Sequence, residues 1–413
     1  MSHIIIIGGG IIGLSSAYYL SKQGHQITIL DKGDITSNCS FGNAGMIVPS
    51  HFIPLASPGM IQQGIRWMFN SKSPFYVRPS LDMNLIGWGL KFLKHANENH
   101  VSRSMVPLRD LSLLSKKYYE ELTNEPGFEF ELKNNGILAF YKTEKTAEEE
   151  IHIAEKGIEL GLDMKVLDAA AAAKLQPGLE LDVLGAVHYR CDGHLYPSKL
   201  MNALTGYLEK QGVVIMRNHE VTRISSAEHK ITGVFAGGKE WKADQFVLAA
   251  GSWSPEIAKM MDIKVSVMPG KGYSFMEQEP AGRMTIPALL CEARVAVTPM
   301  NGSIRYSGTM ELDKINARIN KQRVQGILEA IPDYFPELKP ALPADKDIWF
   351  GFRPSSPDGL PYIGRSAKRK NLIVATGHGM MGLSLGPATG VLVSQLINEQ
   401  PTAIDIRAFS PSR

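Results

Sequence analysis

Residues 4–13 read Ile4-Ile5-Ile6-Ile7-Gly8-Gly9-Gly10-Ile11-Ile12-Gly13, and Ile27-Thr28-Ile29-Leu30 runs into Asp31-Lys32. An apolar strand enters Gly-x-Gly-x-x-Gly, a helix follows, and a second apolar strand ends in an acid. That order is the βαβ unit that holds an adenosine dinucleotide. Gly8 permits the tight turn. Gly10 lets backbone N–H groups approach a pyrophosphate at the helix start formed by Ile11 and Ile12. Gly13 lets the helix pack close to the strand. Asp31, with Lys32 beside it, can accept hydrogen bonds from ribose hydroxyls. Ala17 on the helix and Gly24 before the second strand complete the context.

The chain around this unit has 413 residues, 44% hydrophobic and 21% charged, with a formal net charge of +3. The length suits roughly two to three domains. The charge is too small to argue for a nucleic-acid partner. Cys39, Cys191 and Cys291 lie far apart without a C-x-x-C pair, which disfavours a disulfide framework or a zinc site and suits a reducing cytosol. The N-terminal apolar run feeds the nucleotide loop and lacks the basic start of a secretory signal. No apolar run reaches about 18 residues, so a spanning helix is not expected. No histidine shows ligand spacing, and no metal site is expected.

The pattern predicts an α/β fold: a Rossmann-like dinucleotide domain built from separated segments, with an inserted α+β substrate domain containing a mostly antiparallel sheet. The expected segments are 1–50, 190–262 and 342–413 for the cofactor domain, and 51–189 and 263–341 for the substrate domain. A long helix at 101–123, with Leu108, Leu111, Leu114 and Tyr118 near helical spacing, is expected to pack on the cofactor domain. A β-meander is expected through 221–225, 231–235 and 246–250, and a helix near 313–331.

Two further stretches select the dinucleotide. Gly377-His378-Gly379-Met380-Met381-Gly382 follows a strand and precedes a helix. Its N–H groups suit the pyrimidine edge of a flavin, where they would stabilise negative charge on the reduced ring. Val247-Leu248-Ala249-Ala250-Gly251-Ser252-Trp253 is a buried strand ending in small residues. Gly251, with Ala250, Trp253 and Val221, is assigned to the cofactor. FAD spans all these sites, whereas NAD would use only the first.

These stretches lie in order with Ser40-Phe41-Gly42-Asn43-Ala44-Gly45-Met46, Asp192-Gly193-His194-Leu195-Tyr196-Pro197, Gly270-Lys271-Gly272-Tyr273, Gly351-Phe352-Arg353-Pro354 and Asp358-Gly359-Leu360-Pro361-Tyr362-Ile363-Gly364. Together they resemble the D-amino-acid oxidase superfamily of flavoenzymes, over nearly the whole chain. The resemblance is nearest to its bacterial D-amino-acid dehydrogenase and glycine oxidase branch. Asn43-Ala44-Gly45 and Lys271-Gly272-Tyr273 are similar to the dehydrogenases; Gly386-Pro387-Ala388-Thr389-Gly390 is closer to glycine oxidase. The resemblance implies an extended, noncovalent FAD, with Ser40, Asn43, Ala44, Gly45 and Met46 along its ring and pyrophosphate, and no cysteine placed to attach it.

It also implies oxidation of an amine at its α-carbon by hydride transfer to flavin N5. That chemistry needs orientation at about 3–3.5 Å more than it needs a base. Arg353 is the expected clamp for the substrate carboxylate, a task suited to a planar guanidinium; the alternative is a structural pair with Asp358. Tyr273 could bind the carboxylate or be a strand tyrosine, and Tyr306 is a weaker candidate. His51 could touch flavin or substrate, or be a satisfied structural histidine. His378 could serve the ring loop or orient backbone, His194 could fix a domain junction, and Lys271 could raise the flavin potential or sit in a loop.

The resemblance thus implies an FAD-dependent dehydrogenase of D-amino acids, or of cyclic D-imino acids such as D-proline and D-hydroxyproline, with a quinone or other acceptor. The alternatives are a glycine- or sarcosine-type oxidase using oxygen and a non-catalytic FAD-binding subunit. The expected location is cytoplasmic. Ile65, Trp67, Met68, Phe69, Leu85, Trp88, Phe92 and Leu93 are either a docking patch for the inner face of the cell membrane or ordinary core or interface.

Overall fold

A computed structural model gives the structure, which describes the whole chain except residues 61, 63, 65–71, 79–81 and 280. Strand β1 (His3–Ile7), helix α1 (Ile11–Lys22) and strand β2 (Gln26–Leu30) form the opening unit. β1 lies inside a six-stranded sheet ordered 362–365, 372–376, 245–248, β1, β2, 214–216. All its pairings are parallel except that of Tyr362–Arg365 with Leu372–Thr376. A strand buried on both faces reads as a continuous apolar run, which explains the four isoleucines. Ile4 and Ile6 pack with Leu14 and Ala17 of α1, while Ile5 enters the opposite core with Val234 and Phe246.

That opposite core is covered by a three-stranded antiparallel sheet, Val221–Ala227, Lys230–Ala236 and Lys239–Trp241. The predicted meander is therefore corrected at its third strand. Gln245–Leu248 joins β1 in parallel instead, because Phe246, Val247 and Leu248 are buried on both faces.

The second layer is a nine-stranded, mostly antiparallel sheet. Its order is 349–355, 268–278, 303–312, 295–299, 288–290, 137–141, 185–189, 164–168, with Phe75–Val77 pairing in parallel beside Ser303–Leu312. Helix Lys321–Tyr334 covers one face through Val324, Ile327, Leu328 and Ile331; it starts later than the predicted 313. Strand Trp349–Ser355 belongs to this sheet, with Gly270 opposite Arg353 and Ser274 opposite Trp349. The division expected at 342 thus falls before a strand that pairs with the substrate-side sheet.

Two helices close the back of the cofactor sheet. Helix Gly386–Ile397 lies against α1, and a Cβ on Gly390 would stand 2.6 Å from the Ser15 backbone oxygen. The helix predicted at 101–123 spans Glu98–Leu122. Its Leu108 and Leu111 pack on Leu385, Ala388 and Leu392.

Candidate active site

A cavity of about 1160 Å³ runs between the two sheets. It exceeds the roughly 300–1,000 Å³ of a single small-molecule site, leaving room for an extended dinucleotide and a small substrate together. One end is the glycine turn. Gly8 has φ +112°, and a Cβ there would stand 2.4 Å from Ala249 O. Gly13 sits beneath the turn, where a Cβ would meet Gly8 O at 1.9 Å. Asp31 holds the turn by accepting Gly9 N–H at 2.6 Å and Gly33 N–H at 2.7 Å. A carboxylate with two such bonds keeps lone pairs for further donors. No acid occupies the first turn of α1, and Ile11 N–H donates 3.0 Å to Ser40 Oγ. The helix N-terminus therefore suits an anion. Lys32 Nζ lies 3.7 Å over the Trp253 ring at the same end.

Of the residues assigned to the cofactor, Gly8, Gly10, Ile11, Ile12, Asp31, Lys32, Ser40, Asn43, Ala44, Met46, Val221, Ala250, Gly251, Trp253, Gly351, Arg353 and Gly377 through Gly382 line the cavity. Gly13 and Gly45 do not. Gly13 supports the turn, and Gly45, at φ +80°, gives its carbonyl to Leu195 N–H.

The segment 40–46 is pinned by groups that the sequence reading missed. Arg305 Nη1 donates to Phe41 O and, at 2.6 Å, to Asn43 O. Ser274 Oγ donates to Gly42 O. The Trp349 ring fills the space where Gly42 and Gly351 lack side chains. The only hint was positional: Ser274 follows the Gly270-Lys271-Gly272-Tyr273 motif on its own strand, and Arg305 and Trp349 lie on the two strands that flank it.

The second glycine loop corrects an expectation. Gly379–Met381 is a single 3₁₀ turn, and the helix begins only at Gly386. The N–H groups facing the cavity are those of a turn and not of a helix start. His378 is buried, and Thr389 Oγ1, which donates to Leu385 O, receives the His378 Nε2 proton across 3.0 Å. Burial, with Arg413 adding to it, pushes His378 down to about 3, so the ring is a neutral prop for the loop. His194 is buried too, and its backbone pairs with Met46 and Lys133 where the two layers join.

Arg353 lies in the cavity wall. Nη1 donates to Thr309 O, and the guanidinium rests flat on Gly272, where a Cβ would meet it at 1.9 Å. Asp358 does not pair with it. That carboxylate is taken by Arg413, with contacts of 2.6 and 3.2 Å. Among the described residues no carboxylate forms an ion pair with Arg353. Burial pushes its pKa down to about 10, which still leaves a cation at neutral pH. A buried cation without a counter-charge is costly, so the wall is poised for an anionic ligand.

The two tyrosines differ: Tyr273 borders the cavity and Tyr306 does not. The Tyr273 hydroxyl accepts Asn320 N–H at 3.1 Å and donates toward Glu311, so it serves the loop behind the strand. Tyr306 is fully buried, packs on Phe275 and does not line the cavity. Alternation accounts for Tyr306: neighbouring side chains on a strand point to opposite faces, and Ser307 beside it lines the cavity. Lys271 points with Tyr273, bonded to Asn316 Oδ1 and Arg318 O. His51 does line the cavity, and its Nδ1 lies 3.0 Å from Ser50 Oγ. Burial, with Arg294 adding to it, pushes His51 down to about 4. Among the described residues, no cluster of His, Cys, Asp and Glu could hold a metal, and no helix is long and apolar enough to cross a membrane.

Residues 3–396 match the family described as "DAO: FAD dependent oxidoreductase". The chain is 31% identical over 410 residues to a D-amino acid dehydrogenase of Helicobacter pylori, covering 98% of each. It is 29% identical over 424 residues to the D-amino acid dehydrogenase of Vibrio vulnificus strain CMCP6, covering 98% of this chain and 99% of the relative. Among solved structures, glycine oxidase from Geobacillus kaustophilus superposes with a TM-score of 0.80 at 24% identity, covering 100% of this chain and 99% of that one. L-Proline dehydrogenase from P. horikoshii gives 0.75 at 20% identity, covering 100% and 97%. At those identities the structural likeness establishes the shared fold.

Proposed function

This chain belongs to the DAO family of FAD-dependent oxidoreductases, and we propose that within it the chain is a dehydrogenase of D-amino acids or cyclic D-imino acids such as D-proline. Arg353 is the observation that carries the substrate class. It is a buried guanidinium in the cavity wall without a carboxylate of its own. A zwitterion entering the cavity supplies the missing anion, and the planar fork fixes its orientation. When bound, FAD supplies flavin N5 as the acceptor for hydride from the α-carbon. The residues' task is then to bind, align and exclude water. The full-length relatives named D-amino acid dehydrogenase support the same class. The Gly386–Gly390 stretch that resembled glycine oxidase packs α1 against its neighbouring helix, a structural role compatible with either reaction.

FAD is held noncovalently in this reading. Cys39 and Cys291 line the cavity, and burial pushes both thiols up, so neither offers the thiolate that attachment needs. Electrons leave to a quinone, which requires contact with a bilayer. Helix Met83–His95 supports this: Met83, Ile86, Leu90 and Leu93 are exposed along one stripe beside Lys91 and Lys94. Trp88 is buried against Met268 and Met310 and belongs to the core. Ile65, Trp67, Met68 and Phe69 lie outside the described residues. Peripheral contact predicts that the protein floats with anionic liposomes and that Leu90→Glu abolishes flotation; wild-type protein left in the pellet would remove the contact.

The activity is tested by anaerobic flavin bleaching with D- and L-amino acids and N-methyl glycine. Bleaching by D-amino acids, with slow reoxidation on return to air, supports the proposal. Preference for glycine or N-methyl glycine with fast reoxidation would replace it with the oxidase.

A further inference from the structure

The buried face behind His51 carries a hydrogen-bonded chain that the reaction as described leaves unused. Ser50 Oγ donates 2.6 Å to Asp192 Oδ2, and Ser50 N–H donates 2.9 Å to Asp192 Oδ1. Asp192 is fully buried, while His51 faces the cavity. The directions follow from proton counting. Ser50 gives its one hydroxyl proton to the carboxylate, so at 3.0 Å it can only accept from His51 Nδ1–H. That fixes the tautomer and leaves a lone pair on His51 Nε2. Among the described residues the ring makes no hydrogen bond through Nε2.

Resting on the proposed amino-acid oxidation, we infer that His51, Ser50 and Asp192 form a relay that removes the ammonium proton of the bound substrate before hydride leaves the α-carbon. An ammonium nitrogen has no lone pair to support that departure, so one N–H bond must break first. The proton passes to His51 Nε2, the Nδ1 proton passes to Ser50 Oγ, and the Ser50 proton passes to Asp192 Oδ2. One substrate N–H bond is exchanged for one O–H bond on Asp192. The imidazole ends neutral in its other tautomer, and no electrons move.

The surroundings suit these roles. The groups facing Asp192 are the Cys191 thiol, whose Sγ lies 3.4 Å from Oδ1, the Lys116 ammonium bonded to Cys191 O, and Tyr189, whose hydroxyl is occupied by Glu150. None forms an ion pair with the carboxylate, and burial raises it to about 7, which suits a group that must take up and return a proton near neutrality. The charge facing His51 is Arg294, which disfavours an imidazolium. His51 therefore passes the proton on, and Asp192 stores it.

The test is the pH dependence of anaerobic flavin bleaching by D-proline, or by the fastest amino acid in the screen above. At pH about 7, Asp192→Asn and Ser50→Ala should each bleach about 100-fold more slowly than wild type. Above pH about 10, where the free amine no longer needs a base, both should recover to within about threefold. The double variant should lose no more than either single one. His51→Gln, at the cavity surface, should show the same pH-selective loss and guards against a folding defect at Asp192. A loss equal at all pH values, or no loss at pH 7, overturns the relay while leaving the activity intact; failure of wild type to bleach even at high pH overturns the activity itself. Independently of turnover, a carboxyl infrared band should grow in as pH falls through about 7 and be missing from Asp192→Asn. Absence of that band in wild type overturns Asp192 as the acceptor.

Discussion

The two walls of the cavity are made from different parts of the polypeptide. The wall on the six-stranded sheet is backbone: the Gly8 turn, the N-terminus of α1 and the Gly377–Gly379 loop present N–H groups and missing side chains. The wall on the nine-stranded sheet is side chain: Arg353, Trp349 and Ser274 are set by the register of two paired strands. Backbone recognition needs a short local motif and tolerates little change within it. Side-chain recognition needs distant segments aligned to the residue, and one position decides whether a group faces the cavity.

The largest effect expected from that contrast is at Gly13. An alanine there places its Cβ 1.9 Å from Gly8 O, in backbone that cannot move aside without opening the turn. Gly13→Ala should lose at least tenfold in flavin content per protein and about 1–3 kcal/mol or more in stability. Full flavin occupancy at normal stability would show that the turn is less rigid than the geometry implies.

An intermediate effect concerns pH, and it sets three buried histidines against Asp192. His378 is pushed down to about 3, and His194 and His51 to about 4. Each has a folded-state pKa below its unfolded value near 6.5. The unfolded chain thus takes up protons first, and stability is full above pH about 6.5 and lost toward 4. Asp192 has the opposite sign: raised to about 7, it contributes stability at low pH that is lost as pH rises to 7. Three groups against one leave a net loss of stability on acidification between pH about 6.5 and 4. Each fully buried histidine contributes a slope of about 1.4 kcal/mol per pH unit. Urea midpoints measured against pH should show that fall, and His378→Gln should flatten it. A flat profile would mean that these rings are protonated in place.

The smallest effects belong to the two tyrosines whose hydroxyls are engaged outside the cavity. Tyr306→Phe and Tyr273→Phe should change kcat/KM by less than about threefold, and Tyr273→Phe should cost about 1 kcal/mol through the lost Asn320 bond. A hundredfold fall in kcat/KM for either would mean that its hydroxyl reaches the substrate in the working enzyme.

The same contrast explains what the sequence disclosed. The nucleotide turn, Asp31 and FAD were legible because a glycine spacing states its own geometry within thirty-odd residues. Arg353 was legible through its motif, and its freedom from Asp358 was not, because that depends on Arg413, 55 residues beyond Asp358. The direction of Tyr306 was not legible, because strand alternation gives two faces without saying which is inward. Register across 268–278, 303–312 and 349–355 decides it. The third meander strand was misassigned for a related reason: an apolar run after a hairpin fits either sheet, and only packing against β1 selects one. Arg305 escaped notice because a lone strand arginine carries no local signal of the carbonyls it will meet.

The central claim is that Arg353 supplies the cation for a substrate carboxylate, and it is tested most directly by comparing an amino acid with its decarboxylated amine on wild type and Arg353→Ala. Truncating one partner of a buried charge pair costs about 2–5 kcal/mol, or roughly 30- to several-thousand-fold in kcat/KM. Wild type should strongly prefer the amino acid. Arg353→Ala should lose most of that preference while keeping its flavin, and Arg353→Lys should recover only part because it lacks the planar fork. Full flavin occupancy with an unchanged preference in Arg353→Ala would show that the carboxylate is held elsewhere and would contradict the account.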